Sequence, residues 1–248
     1  MTKTVTSASK SSKSGNAFRR GAGKKFRQAS EKIDRTKLYP LTDAVKLAKE
    51  TSYSKFDATL DMAINLSVDP RHADQNVRGA TPLPHGLGKK VRIILFAKGD
   101  KAIEAASLGV EAVGGDELAE KIIGGWLDFD QVVATPDMMG VVGKLGKVLG
   151  PRGLMPNPKL GTVTFDIAKT VNELKAGRVE FRVDKAGIVH VPVGKVSFPV
   201  DHLENNIRTV LDALVKAKPS SSKGTYLNRM CLSATMGPGV RVDLSSFR

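Results

Sequence analysis

A run of strictly alternating apolar residues between positions 56 and 68 is the feature that most constrains this fold. Every second residue is apolar, and the set is Phe56, Ala58, Leu60, Met62, Ile64, Leu66 and Val68. This period of two predicts a β-strand with one face toward a hydrophobic core. The sequence before it predicts a helix from Pro40, with an apolar stripe at Leu41, Ala44, Val45 and Ala48. The strand has few local partners, so it must pair with segments much farther along the chain.

The middle of the chain follows a different pattern. Between about 90 and 150, short continuous apolar runs alternate with segments of helical character. Val91–Ala97 and Gln131–Thr135 are predicted to be buried strands, and helices are predicted near 101–109, 116–125 and 137–148. Such alternation predicts βαβ units around a parallel sheet. The flanking stretches 69–79 and 150–161 are rich in turn-forming residues and are interpreted as linkers.

After residue 161 the pattern again mixes helices with alternating strands. Asp166 is predicted to cap a helix that carries Ile167, Val171 and Leu174 and ends at Gly177. The later elements are a hairpin of 178–183 and 188–193 around the turn 184–187, a helix over 203–215, and strands at 225–233 and 240–242. Pairing the first strand with these late strands predicts a discontinuous domain.

The sequence therefore predicts a mixed α/β and α+β protein with two domains. An α+β domain is formed from both chain ends, residues 38–68 and 161–248. An α/β domain is inserted over residues 69–160, with hinges near 69–79 and 150–161. Residues 1–37 are predicted to be a basic tail, flexible over 1–30 because ordering so few apolar side chains would cost backbone entropy with little burial to offset it.

The charge of the chain favours a polyanionic partner. Its formal net charge is +14, and residues 1–37 hold 11 Lys and Arg against two acidic residues. Residues 69–160 hold 12 Lys and Arg against 11 Asp and Glu, so the middle is nearly neutral. Nucleic acid is the first candidate partner and an anionic membrane surface is the second. The basic tail is either a solvated solubility tail or an arm that contacts RNA.

Several classes of function lack the residues that they need. Cys231 is the single cysteine, so the chain has neither an intramolecular disulfide nor a thiolate metal cluster. The histidines at 72, 85, 190 and 202 have no metal-ligand spacing, and no glycine-rich phosphate loop or nucleophile elbow is present. We expect no catalytic residue, metal or cofactor, no membrane span, and a protein that is not an enzyme. The rival classes are a nucleotide-using α/β enzyme and a basic protein that binds DNA or membranes.

Several segments together resemble the bacterial large-subunit ribosomal protein L1 family, in order and at family spacing. They are Lys55–Thr59, Val68–Gly79, Leu83–Gly88, Val148–Lys159, Phe181–Gly187 and Thr235–Pro238. The resemblance implies a Rossmann-like, three-layer α/β insert joined by a hinge to the first domain. It implies a structural role on the cytoplasmic or an organellar ribosome, with binding to the 23S rRNA stalk beside the tRNA exit site. It also implies assistance in release of deacylated tRNA and translational repression through the protein's own messenger RNA.

The resemblance also transfers RNA-binding positions to this chain. They are Lys55, Phe56, Thr59, Asp184, Lys185, Gly187, Thr235, Met236 and Gly237. The two lysines would meet phosphates, the threonines would hydrogen-bond ribose or backbone, and Met236 and Phe56 would shield those bonds from water. Two alternatives remain open here, since Phe56 is in phase with the core face of its strand and the loop 235–239 has the composition of an ordinary turn. Val183 and Ala234 depart from the Asn and Thr that relatives often have.

Overall fold

The computed structural model describes residues 23–99, 101, 102, 105, 108–222 and 224–247. The helices are α1 (Lys24–Glu31), α2 (Leu41–Glu50), α3 (Asp116–Ile123), α4 (Met139–Lys144), α5 (Gly146–Leu149), α6 (Ile167–Ala176) and α7 (Val200–Lys216). The strands are β1 (Thr59–Leu66), β2 (Arg78–Pro82), β3 (Ile93–Phe96), β4 (Ala112–Gly114), β5 (Gln131–Ala134), β6 (Arg178–Arg182), β7 (Ile188–Lys195), β8 (Leu227–Ala234) and β9 (Val240–Val242). The mixed α/β class predicted from the sequence is confirmed.

An antiparallel sheet combines strands from both ends of the chain. Its order is β7-β1-β8-β9, so the alternating strand lies between two late strands, as predicted. The inward residues Leu60, Met62, Ile64 and Leu66 are buried with the apolar stripes of α2 and α7. Strand β1 begins at Thr59, which is three residues later than the alternation suggested.

A parallel sheet holds the middle of the chain, in the order β4-β3-β5. Alternate residues of the central strand β3 face opposite sides, where two separate apolar clusters form. One cluster contains Ile94 and Phe96 with residues of α3 and α4, and the other contains Ile93 and Leu95. The predicted buried strands and the helices over 116–125 and 137–148 are confirmed, although the latter segment is divided into α4 and α5.

Helix α6 packs on the parallel sheet, which corrects the sequence interpretation. Its residues Ile167, Val171 and Leu174 join the cluster of Ile93 and Leu95. The expectation assigned everything after 161 to the other sheet, because an apolar stripe shows that a helix packs but not on which sheet it packs. Gly177 ends the helix in a left-handed conformation as predicted, whereas the Asp166 side chain makes no capping hydrogen bond.

The chain crosses between the two sheets through a two-stranded ribbon. Strands β2 and β6 pair antiparallel from Arg78 opposite Arg182 to Pro82 opposite Arg178. The second crossing is therefore at 178–182, and not at the predicted 150–161. Beyond the ribbon, the chain segment that follows β2 contacts the one that precedes β6, since a Cβ built on Gly177 would lie 2.6 Å from the Cα of Gly86.

The basic segment before residue 38 is partly folded. Residues 24–31 form α1, and Ala29 and Ile33 are buried, the latter in the core of the antiparallel sheet. From Lys24 onward the structure therefore has a helix and buried residues where a flexible tail was predicted. Phe26, Ala29 and Ile33 lie at helical spacing, an apolar stripe that the high charge of the segment concealed. Residues 1–22 lie outside the described residues.

The described part of the chain has no helix that is both long and apolar enough to cross a membrane. Over the same residues, no three His, Cys, Asp or Glu side chains come together in a group that could hold a metal ion.

Candidate nucleic-acid interface

The loop after β8 is joined to the first residue of β1. The Thr235 amide donates to the Thr59 carbonyl at 3.0 Å. The Thr235 hydroxyl accepts from the Thr59 amide at 3.1 Å and donates to the Thr59 carbonyl at 3.2 Å. Thr235 therefore fixes the loop to the sheet, and its hydroxyl is already engaged before any RNA binds.

Met236 occupies a strained and exposed position in this loop. Among the described residues it is the non-glycine residue with a positive φ, of 66°, and its relative exposure is 62%. The Tyr53 hydroxyl donates to its carbonyl at 2.7 Å, and the Gly237 amide donates to the Ala234 carbonyl at 2.7 Å. These bonds hold a tight turn that presents the methionine side chain to solvent.

The segment before β1 adds a second exposed apolar side chain. Phe56 is 57% exposed, so it precedes the buried part of the strand and does not pack in the core. Lys55 beside it is also exposed. The Asp57 carboxylate accepts from the Ser197 hydroxyl at 2.8 Å and from the Ser197 amide at 3.2 Å, which anchors this segment to the loop after β7.

Lys195 is a cation of this group that the sequence interpretation missed. It lies opposite Thr59 in the β1–β7 register, and its Nζ donates to the Thr59 hydroxyl at 3.0 Å and to the Asp57 carbonyl at 3.4 Å. The predicted hairpin strand ended at residue 193, so Lys195 lay two residues beyond it, whereas β7 extends to Lys195. The strand register was not visible, and without it nothing connected Lys195 to Thr59.

The three remaining predicted residues lie at the opposite end of β1. The Leu66 amide donates to the Gly187 carbonyl at 2.9 Å, where β1 finishes. The turn closes through the Gly187 amide, which donates to the Asp184 carbonyl at 2.9 Å, and Gly187 has a φ of 75°. Lys185 is exposed. A strand of this length separates the turn from the loop 235–237 by about 23 Å, so the nine predicted residues form two groups.

The outward face of the antiparallel sheet connects the two groups. Asp61, Ala63 and Asn65 alternate with the buried residues of β1, and exposed Arg229 and Arg241 flank them on β8 and β9. Burial raises the pKa of the Cys231 thiol on this face, while the charges of Arg241 and Arg229 lower it in part. The face is polar, carries both arginines on its β8–β9 side, and is not covered by α2 or α7.

This arrangement is suited to binding rather than to catalysis. It combines lysines, exposed Phe56 and Met236, and a rigid backbone turn, which are groups that contact phosphate, base and ribose. The chain also matches a family model described as the Ribosomal protein L1p/L10e family, over residues 48–238. That match covers more than half of the chain. The chain therefore belongs to the Ribosomal protein L1p/L10e family, and it is a structural protein of the large ribosomal subunit that binds rRNA, not an enzyme.

Proposed function

We propose that this chain is a bacterial-type member of the family and binds the 23S rRNA stalk through the group at the start of β1. The observation that carries the proposal is the pair of exposed apolar side chains, Phe56 before β1 and Met236 on the hydrogen-bonded turn after β8, at the same end of β1 as Lys55 and Lys195. Water does not stabilise an exposed apolar side chain. Against an RNA groove it excludes water from neighbouring hydrogen bonds and strengthens them.

The turn 184–187 serves as a second contact in this proposal. It lies about 23 Å away, so one helical RNA of similar length bridges both groups across the outward face of the sheet. Lys185 contributes charge there, whereas Gly187 keeps the turn tight, since a Cβ would lie 3.2 Å from the carbonyl oxygens of Leu66 and Val68. The group that includes Met236 has two lysines, Lys55 and Lys195, so RNA affinity should depend more on that group than on this turn.

Met236→Asp tests the proposal. The new carboxylate would face phosphates, so we expect stalk-RNA affinity to fall at least a hundredfold while the thermal unfolding temperature is kept. The matched control is Ile123→Asp, which adds the same charge at a position that is 64% exposed on α3. Wild-type affinity in folded Met236→Asp protein would remove this loop from the interface.

We further propose that the protein has two domains and that the inserted one is dispensable for stalk binding. The insert is residues 89–176, which hold 12 Lys and Arg against 11 Asp and Glu, whereas the rest carries nearly all of the net +14. The insert has its own apolar clusters on both faces of the parallel sheet. The resemblance adds that the insert acts in release of deacylated tRNA from the exit site.

Deleting 89–176 and joining Gly88 to Gly177 through a few glycines tests this division. This junction retains Leu83 in the core of the antiparallel sheet. It also retains the hydrogen bond that the Asn206 amide donates to the Gly86 carbonyl at 3.1 Å. We expect the shortened protein to prefer stalk RNA over a scrambled hairpin at matched salt. A folded product with no preference would show that specificity needs the insert.

Repression of the protein's own messenger RNA completes the proposal. It is supported by the resemblance and by an interface that reads RNA shape rather than a particular transcript. A reporter translated behind the protein's own leader should be repressed by wild-type protein and not by Met236→Asp. Equal expression with both proteins would contradict autoregulation without touching stalk binding.

A further inference from the structure

A cleft lies between the crossing ribbon and the proline-rich loop after α5, away from the start of β1. Its volume is about 760 Å³, which is within the range of small-ligand sites. One wall is the ribbon, with Arg78, Arg182 and nearby His190, and the other includes Met139 and Met155. The cleft therefore has a cationic wall facing a largely apolar one.

The two arginines are arranged at a cost in free energy. Arg78 and Arg182 are direct cross-strand partners in the antiparallel ribbon. Side chains so placed have Cβ atoms about 5 Å apart, and like charges directly opposite each other are destabilising. Neither arginine forms an ion pair with any described carboxylate. An anion between them would remove this repulsion.

One carboxylate, that of Glu180, is among the residues that line the cleft. This carboxylate interacts with Arg178 and the Gln131 side chain. Burial raises the pKa of Glu180, so the protein environment does not favour its charge. Arg78 and Arg182 outnumber this one carboxylate, so the lining of the cleft keeps a net positive charge.

We propose that this cleft binds a nucleotide, with its phosphate between Arg78 and Arg182 and its base against Met139 and Met155. Paired guanidinium groups suit the several oxygens of a phosphate, and an apolar wall suits the face of a base. The same chemistry is offered by a free mononucleotide and by an unpaired nucleotide within RNA. This site is distinct from the stalk-binding group that contains Met236.

Methionine methyl groups allow the two sites to be observed separately. In full-length protein with ¹³C-methyl methionine, Met139 and Met155 report the cleft and Met236 reports the loop after β8. The probes are adenosine 5′-monophosphate, a five-nucleotide adenylate RNA, and adenosine as a control without phosphate. We expect at least one phosphate-bearing probe to shift the cleft signals saturably at fixed salt, and adenosine to leave them unchanged.

Charge variants then test the arginine pair. In the double variant R78Q/R182Q, the dissociation constant of the phosphate-bearing probe should rise at least tenfold. The control R208Q removes an exposed arginine of α7 and should raise that constant less than twofold. The double variant should unfold at the wild-type temperature or higher, because it removes a repulsion; if it does not fold, R78Q alone is measured. Saturation by the mononucleotide identifies a free nucleotide as sufficient, and response to the RNA alone identifies an RNA strand.

The proposal fails if neither phosphate-bearing probe shifts the cleft signals, if adenosine shifts them equally, or if R208Q weakens binding as much as the double variant. The stalk-binding proposal is read independently from Met236. If stalk RNA shifts the Met236 methyl signal and no probe shifts the Met139 and Met155 signals, the cleft proposal is contradicted and the stalk-binding proposal is not.

Discussion

Replacing Thr235 by Val should loosen the loop after β8 from β1. The hydroxyl accepts from the Thr59 amide at 3.1 Å and donates to the Thr59 carbonyl at 3.2 Å, and both bonds are partly buried. Valine keeps the shape and removes both, while the backbone bond between the two residues at 3.0 Å remains. A net hydrogen bond contributes about 1 kcal/mol, so we expect the free energy of unfolding to fall by about 1–2 kcal/mol.

The assay is thermal or urea unfolding of wild-type, Thr235→Val and Thr235→Ser proteins. For a chain of this size the valine variant should melt roughly 2–8 °C lower, and the serine variant should recover most of the difference because it keeps the hydroxyl. Stalk-RNA affinity should also fall in the valine variant, because the loop is then held less firmly to β1. The reasoning is refuted if the valine variant melts with wild-type protein, or if serine destabilises as much as valine.

Three other substitutions are informative. Met236→Gly should raise the free energy of unfolding by roughly 0.5–1 kcal/mol, because a left-handed φ is unfavourable for residues other than glycine. The same variant should weaken RNA binding, and a lower stability would argue against strain at Met236. Gly177→Ala should lower the melting temperature strongly, because its φ is 101° and its Cβ would meet Gly86; an unchanged melting curve would show that the crossing can relax. Asn206→Ala removes three hydrogen bonds of a fully buried side chain and should cost about 2–4 kcal/mol in urea unfolding; a loss below 1 kcal/mol would contradict this.

Elements that depend on local periodicity were predictable from the sequence. The alternation around Met62 and the stripe of α2 specify which face is buried, and the structure has both as expected. Helix α1 was not predicted because the high charge of its segment conceals the helical spacing of Phe26, Ala29 and Ile33. The packing of α6 was missed because periodicity identifies a buried face and not its partner.

The sequence predicted which residues belong to the candidate site but not how they are arranged in space. Resemblance supplied Thr59, Thr235 and Lys185, but spacing along the chain could not show that the first two touch while the third lies at the far end of β1. That separation follows from the register of β1 against β7 and β8. Register is set by packing over the whole sheet, so the proximity of Lys195 to Thr59 is also seen only in the three-dimensional structure.

The position of β1 between β7 and β8 determines when the antiparallel sheet can form during synthesis. Both partners are made more than 120 residues after β1 ends. At typical elongation rates β8 follows roughly 10–30 s later, and until then β1 lacks the strand that pairs with one of its two edges. The parallel sheet, whose strands and helices lie between, is complete earlier. Nascent chains should therefore acquire protease resistance first around the parallel sheet, and a chaperone would be needed most by the segment made first.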